Sequence, residues 1–322
     1  MESPKLRIVA DGLRFPEGPV VCANGSIVLV EIARGTITRI FPDGTVHVVV
    51  ETGGGPNGAA LGPDGALYVC NNGGFEWLET PDLLRPTLQA SNYSGGRIER
   101  VDLATATVQV LYTSCEGEPL RGPNDIVFDA HGGFYFSDMG KVRAHDRDQG
   151  ALYYASVDGA HIKTVAAPLL APNGVGLSPD GQVLYVAETD TARLWAFDIE
   201  APGVVRKQPW PSPHGGRLVA GLGGYQRFDS LAVDKEGVIC VATLVSGVIS
   251  EISPEGGLLR QWQMPDPYPT NICFGGDDLR TAYITLSGSG KLAAMDWPTA
   301  GLALNFSGPA ASTHLPTQAH AR

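Results

Sequence analysis

The sequence predicts an all-β fold, a six-bladed β-propeller, on three observations: a strand–turn–strand pattern occurs six times, a second hairpin-like stretch follows each occurrence, and turn residues are dispersed between them. Glycine (41) and proline (24) together make up about a fifth of the 322 residues and do not cluster as they would in a linker. Length alone points to about two domains, but a repeat of this kind takes precedence over length.

The copies follow in order. FPEGPVVCANGSIVLVE (15–31) precedes GTITRIFPDGTVHVVV (35–50), and GPNGAALGPDGALYVCN (55–71) precedes GRIERVDLATATVQVLY (96–112). GPNDIVFDAHGGFYFSD (122–138) is followed by ALYYASVDGAHIKTVA (151–166), and APNGVGLSPDGQVLYVAE (171–188) by RLWAFDIE (193–200). RFDSLAVDKEGVICVAT (227–243) leads into GVISEISPEGGLLRQWQ (247–263), and YPTNICFGGDDLRTAYIT (268–285) into KLAAMDW (291–297). Two hairpins make a four-stranded sheet that cannot cover both of its faces alone. Six such sheets stacked around an axis cover one another. Asp-Gly pairs at 43–44, 64–65, 158–159 and 180–181 are ordinary hairpin turns.

The last copy is short of one strand, whereas KLRIVADG (5–12) is a strand without a partner, so the N-terminus is expected to complete the last blade and close the ring. Residues 1–302 are thus expected to form one propeller domain, and 303–322, rich in Pro, Ser, Thr, Ala and Gly, a loosely ordered tail. Two insertions, 72–94 and 201–224, carry more apolar side chains than solvated loops need, among them Phe75, Trp77, Leu83, Leu84, Tyr93, Trp210, Leu218, Leu222 and Tyr225. Both are expected to roof a pocket.

The residue opening the first strand of each copy is acidic or a carboxamide. Glu17, Asn57, Asn124, Asn173 and Asp229 each lie eight positions before the turn glycine (Gly25, Gly65, Gly132, Gly181, Gly237), and Asn271 lies eight before Leu279. Equivalent positions on the innermost strands of a propeller converge on its channel. Two carboxylates and several amide dipoles at a narrow axis are costly without a cation. Oxygen donors without His or Cys select a hard divalent ion, Ca²⁺ first, with Mg²⁺ or Mn²⁺ next and Zn²⁺ less suited. The competing reading of any single Asn or Asp is a turn cap; six aligned positions favour the metal.

At these residues the chain resembles the SMP-30/gluconolactonase/luciferin-regenerating-enzyme-like family, and more distantly diisopropyl fluorophosphatase and the paraoxonases. The matching motifs are FPEGP around Glu17, PND around Asn124, PNG around Asn173 and FDSLAVD around Asp229, and the resemblance spans roughly residues 12–297. It implies one divalent metal held by Glu17, Asn173 and Asp229, with Asn124 a ligand or a substrate contact. Sugar-lactone members often carry an Arg two residues before the third-motif Asn; here Arg121 stands three before Asn124. FSDMG, with Asp138, replaces the Asp-Pro pair of many gluconolactonase-like members. The expected reaction is lactone hydrolysis with Asp229 as general base, or nucleophile, and Asn124 assisting, while Asn57, Asn271 and Arg121 contact substrate. Alternatives are organophosphate or aryl-ester hydrolysis at the same metal, and a calcium-binding propeller without turnover.

The remaining features exclude or bound. Lys+Arg 23 against Asp+Glu 34 gives a net charge of −11, and no basic run is present, which argues against nucleic acid. No stretch approaches the ~18 apolar residues of a membrane helix, and MESPKLRIVADG has no signal-peptide core, so a cytoplasmic protein without a membrane partner is expected, as a monomer or small homo-oligomer. Five cysteines without CxxC spacing are read as reduced thiols. There is no GxSxG motif, and none of the seven histidines occupies an inner-strand position, which disfavours a Ser-His-Asp hydrolase. His145 and His214 are the two that loops could carry toward the pocket.

Overall fold

The structure, a computed structural model, describes residues 6–307. Six antiparallel sheets, five of four strands and one of five, follow one another along the chain, and no helix is present among the described residues. Blade I consists of Pro16–Val21, Ile27–Glu31, Thr36–Ile40 and Val46–Glu51, paired in chain order. Blades II, III and V begin with Pro56–Leu61, Pro123–Phe128 and Arg227–Val233 and repeat that order. Blade VI is Pro269–Gly275, Thr281–Leu286, Lys291–Asp296 and then Arg7–Ala10, so the N-terminal strand closes the ring as the sequence predicts.

The middle strands of each blade read as apolar runs because both of their faces are covered: Leu67–Asn71 and Phe134–Asp138 are buried throughout. Six apolar clusters fill the six seams between neighbouring blades, each drawing side chains from two sheets. Each fully buried Val, Leu, Ile or Phe contributes about 1.5–3 kcal/mol, so the seams carry most of the stability. Among the described residues the smallest seam joins blades VI and I: Ala10, Leu13, Ile27, Leu29, Ile40 and Leu292.

Blade IV differs from the expectation for its insertion. Arg193–Ala201 is long enough to pair with two short outer strands at once, Val204–Arg206 and Arg217–Gly221. The 201–224 insertion therefore completes the blade's outer edge instead of roofing a pocket, with Val205, Val219 and Ala220 buried in the sheet and Trp210 exposed at its tip. The 72–94 insertion forms a separate hairpin, Phe75–Glu79 against Leu84–Gln89.

Residues 303–307 run beneath the channel, where Asn305 Nδ2 donates to Phe128 O at 3.0 Å and Phe306 packs edge-on to Phe128. The rest of the expected tail, 308–322, lies outside the described residues. All five cysteines are free thiols; Cys70, Cys115 and Cys240 are buried, and Cys22 and Cys273 are partly buried. Among the described residues no helix is long and apolar enough to cross a membrane.

Candidate metal centre at the mouth of the channel

Each inner strand slips out of register with its neighbour near its first residues. The shifts fall between Glu17 and Val20, Pro56 and Ala59, Pro123 and Ile126, Pro172 and Val175, Phe228 and Leu231, and Pro269 and Asn271. A bulge of this kind re-aims a side chain out of the sheet. Asn57, Asn124, Asn173 and Asp229 sit within these irregular stretches, one residue after the last position paired before the shift, and Glu17, itself paired to Val30, stands at the edge of its own.

The sixth copy departs from the sequence alignment by one residue. Pro269 pairs with Leu286 as Pro16 pairs with Glu31, which puts Thr270, not Asn271, at the position equivalent to Glu17. Leu279 is not a turn glycine, and counting back from it misplaced the copy. Thr270 Oγ1 faces into its own blade, bonded to Thr285 Oγ1 at 2.9 Å and to Ser287 Oγ at 2.5 Å. Asn271 nonetheless reaches the site, since its Nδ2 donates to Glu17 Oε2 at 2.7 Å across 254 residues of chain.

Glycine makes this convergence possible. A Cβ on Gly18 would lie 2.6 Å from Asn57 O, and one on Gly58 would lie 2.4 Å from Asn124 O. Gly18 also adopts a left-handed φ of 51°. The next position around the ring is thus glycine in three copies (Gly18, Gly58, Gly174) but Asp125, Ser230 and Asn271 in the others. Asp125 went unrecognised from sequence, although it stands inside the PND motif. Its Oδ2 accepts from Val175 N at 3.2 Å and its Oδ1 from Ile126 N at 3.0 Å.

The electrostatics are those of crowded acids. Glu17 is buried, and desolvation raises its carboxyl against the hydrogen bonds from Asn271 and Gly18 N. Asp125 is pushed up to about 7 by burial and then by the charge of Glu17. Asp229 is only partly buried; desolvation first, and then Glu17, hold its carboxyl well above the usual range. Three carboxyls therefore compete for charge at one place.

The carboxamides are oriented to leave oxygen available. Asn173 Nδ2 donates to Thr189 Oγ1 at 3.1 Å, and Asn124 Nδ2 points to Met139 Sδ at 3.1 Å. Asn124 Oδ1 has no donor among the described residues, and Asn173 Oδ1 has only Ser230 Oγ at 3.4 Å. No three or more His, Cys, Asp or Glu side chains among the described residues gather closely enough to hold a metal by themselves. A metal here therefore needs the carboxamide oxygens as well as the acids, a donor set suited to a hard cation. Asn57 is buried beside Gly18.

Arg121 lies at the rim. Its side chain is exposed and makes no hydrogen bond among the described residues. Its backbone N and that of Gly122 donate to Asp138 at 2.8 and 2.7 Å, so Asp138 fixes the loop entering blade III. The histidines stay away: His145 is exposed, and His214 is enclosed by Trp195 and Phe197 at the outer edge of blade IV.

The 75–89 hairpin crosses the mouth and is tied at both sides. Leu84 N donates to Gly288 O of blade VI at 2.9 Å and Gln89 N to Val142 O of blade III at 2.8 Å. Trp77 packs on Phe15, two residues before Glu17. Beneath the hairpin, Lys141 is fully buried; its Nζ donates to Asn72 Oδ1 at 3.0 Å and Gly74 O at 2.9 Å and lies 3.7 Å from the centre of the Phe75 ring. Burial pushes its ammonium down to about 7. Sequence reasoning gave no hint of this lysine, because nothing in its neighbours announces burial. Lys141→Met removes a donor from the buried Gly74 carbonyl, at a cost of about 1–3 kcal/mol, and should loosen the hairpin. Cleavage after Glu79 by a glutamyl endopeptidase, followed by mass spectrometry, should accelerate several-fold while the melting temperature moves little.

The fold is thus a six-bladed propeller with acids and carboxamides gathered around one end of its axis. The chain belongs to the SMP-30/gluconolactonase/LRE-like family, whose model matches residues 15–288. It is 25% identical over 312 residues to a gluconolactonase of Zymomonas mobilis, covering 88% of this chain and 80% of that protein. It is 30% identical over 265 residues to lactonase drp35 of Staphylococcus saprophyticus, covering 81% and 73% respectively. Among solved structures it is similar in fold to regucalcin of Agrobacterium tumefaciens, described as a calcium-binding protein, with a TM-score of 0.74 at 17% identity over 92% of this chain and 95% of that one.

Proposed function

We propose that this protein is a metal-dependent lactonase: it opens a cyclic ester by adding water at the carbonyl carbon. The observation that carries the reading is the set of buried acids at one end of the axis, Glu17 raised by burial and Asp125 and Asp229 by burial and then by Glu17, beside carboxamides whose oxygens lack strong donors. Membership of a family with curated relatives named gluconolactonase and lactonase supplies the substrate class.

Glu17, Asn124, Asn173 and Asp229 would hold one divalent cation, with Ca²⁺ the best match to the oxygen donors. Such an ion supplies Lewis-acid polarisation of the carbonyl and relief of the charge crowding. Asp229, the least buried of the three acids, takes a proton from the attacking water as the water oxygen bonds to the carbonyl carbon. The bond to the ring oxygen then breaks, and that oxygen leaves with a proton returned from Asp229. Thr189 fixes Asn173, and Asn271 fixes Glu17, each through a side-chain hydrogen bond. Asn57 and Asn271 would hold substrate oxygens, and Arg121 would reach the substrate only from the rim. The 75–89 hairpin, with Phe75 and Trp77, limits solvent over one side of the mouth.

The test is a pH-indicator screen of aldonolactones, aliphatic lactones and aryl lactones with Ca²⁺, Mn²⁺, Mg²⁺ or Zn²⁺ supplied, since ring opening releases a proton. At least one lactone class should be opened, chelator should stop the reaction, and returning metal should restore it. Proton release indifferent to chelator would reject the metal, and no release with any class would reject the reaction.

A further inference from the structure

One charged cluster at the mouth is not used by the reaction above. Asp190 bridges two guanidiniums, accepting on one carboxylate oxygen from Arg147 Nη1 and on the other from Arg227 Nη2. The three residues come from three blades. Arg147 lies in the blade III loop that bridges back to Val142, the residue that receives the roof hairpin at Gln89. Asp190 directly follows Thr189, which holds Asn173, and Arg227 opens the inner strand of blade V two residues before Asp229. The cluster thus stands on the rim next to the axial residues.

Its hydrogen-bonding capacity is largely unspent. Each guanidinium has five N–H donors and uses one on Asp190, with no other protein acceptor among the described residues. Side-chain exposure is 37% for Arg147, 40% for Arg227 and 24% for Asp190. Asp190 is the most covered of the three, so the two cations face outward with the acid behind them. Two positive charges against one leave the cluster net positive on a chain of net charge −11. Planar donors in a fork match a carboxylate or phosphate and are poorly used by a neutral hydroxyl.

We propose that Arg147 and Arg227 form an anion-accepting subsite, and that the preferred lactone carries a carboxylate or phosphate group away from its ester. This rests on the lactonase reading. In the bound state the carboxylate or phosphate oxygens accept from the free N–H groups of both arginines, while Asp190 keeps the two guanidiniums splayed at a fixed separation. No covalent step is involved; the subsite orients the ring over the axial residues.

Two measurements test it. The first compares kcat/KM for a carboxylate-bearing aldarolactone and a phosphate-bearing aldonolactone with that for the neutral aldonolactone of the same ring. In the wild type an anionic lactone should be favoured by about tenfold or more, and in Arg147→Gln that ratio should collapse toward unity. Raising salt to about 0.5 M should also shrink it. The second is an NMR titration with pyranose uronate, hexose 6-phosphate and neutral hexose, which needs no turnover. An anion should bind at least about tenfold tighter than the neutral sugar, and Arg147→Lys, which keeps charge but loses the fork, should recover only part of that preference. Equal binding, no binding, or a preference that survives Arg147→Gln overturns the subsite even where lactones are hydrolysed. If no lactone is opened but the anion preference is present and depends on Arg147, the lactonase reading fails and the subsite stands.

Discussion

Asp229→Asn should leave a folded propeller that opens lactones at least about 10³-fold more slowly, in keeping with loss of a general base at a site where it also supplies charge to the cation. The substitution is nearly isosteric and retains a carbonyl oxygen, so simple collapse of the site is not the expected cause. The same change should raise the melting temperature of chelator-treated protein. Without a cation, Asp229 is crowded by Glu17 and Asp125, and a neutral amide relieves that repulsion. An inactive variant that is more stable than wild type when stripped of metal separates a catalytic role from a structural one. Retention of more than about a tenth of wild-type kcat/KM, far above what loss of a general base allows, would remove Asp229 from the chemistry.

The second large effect is the pH dependence of metal stabilisation. Folding raises the carboxyls of Glu17, Asp125 and Asp229, with Asp125 reaching about 7. An acid with a raised folded value holds its proton to higher pH than the unfolded chain does. From about pH 4, the unfolded value, to about pH 7 the folded state therefore binds more protons, and stability falls as pH rises. Chelator-treated protein should lose several degrees of melting temperature between about pH 5 and pH 7.5. Saturating Ca²⁺ should restore them, with a shift of about 5 °C or more at the higher pH and a smaller one at the lower. Differential scanning fluorimetry at the two pH values is sufficient. A metal-induced shift that is equal at both, or larger in acid, would show that these carboxyls are not where the cation binds.

Much of this was legible in the chain. The spacing between the first-strand residue and its turn glycine located Glu17, Asn57, Asn124, Asn173 and Asp229, because a hairpin of constant length keeps equivalent residues at equal height along the axis. It failed in the sixth copy, where the turn carries no glycine at the expected distance and the pairing puts Thr270 in the ring. Asp125 was missed because the search followed one position per blade, whereas the bulge brings the next residue to the axis as well. The 201–224 insertion looked like a roof because its apolar residues read the same whether they cover a pocket or a sheet edge; only pairing with Arg193–Ala201 decides between them. The burial of Lys141 and the bridging of Arg147 to Arg227 through Asp190 depend on which loops meet, and that is set by ring closure rather than by any local pattern.

The seam between blades VI and I has a bearing on biogenesis. Arg7–Ala10 is held by Lys291–Asp296, and Glu17 is held by Asn271. A nascent chain emerging from the ribosome has its first strand and first acid ready long before their mates exist. Contacts this distant in sequence slow folding, and the axial constellation can form only after synthesis is nearly finished. An ion arriving early would find an open arc of blades and not a finished socket.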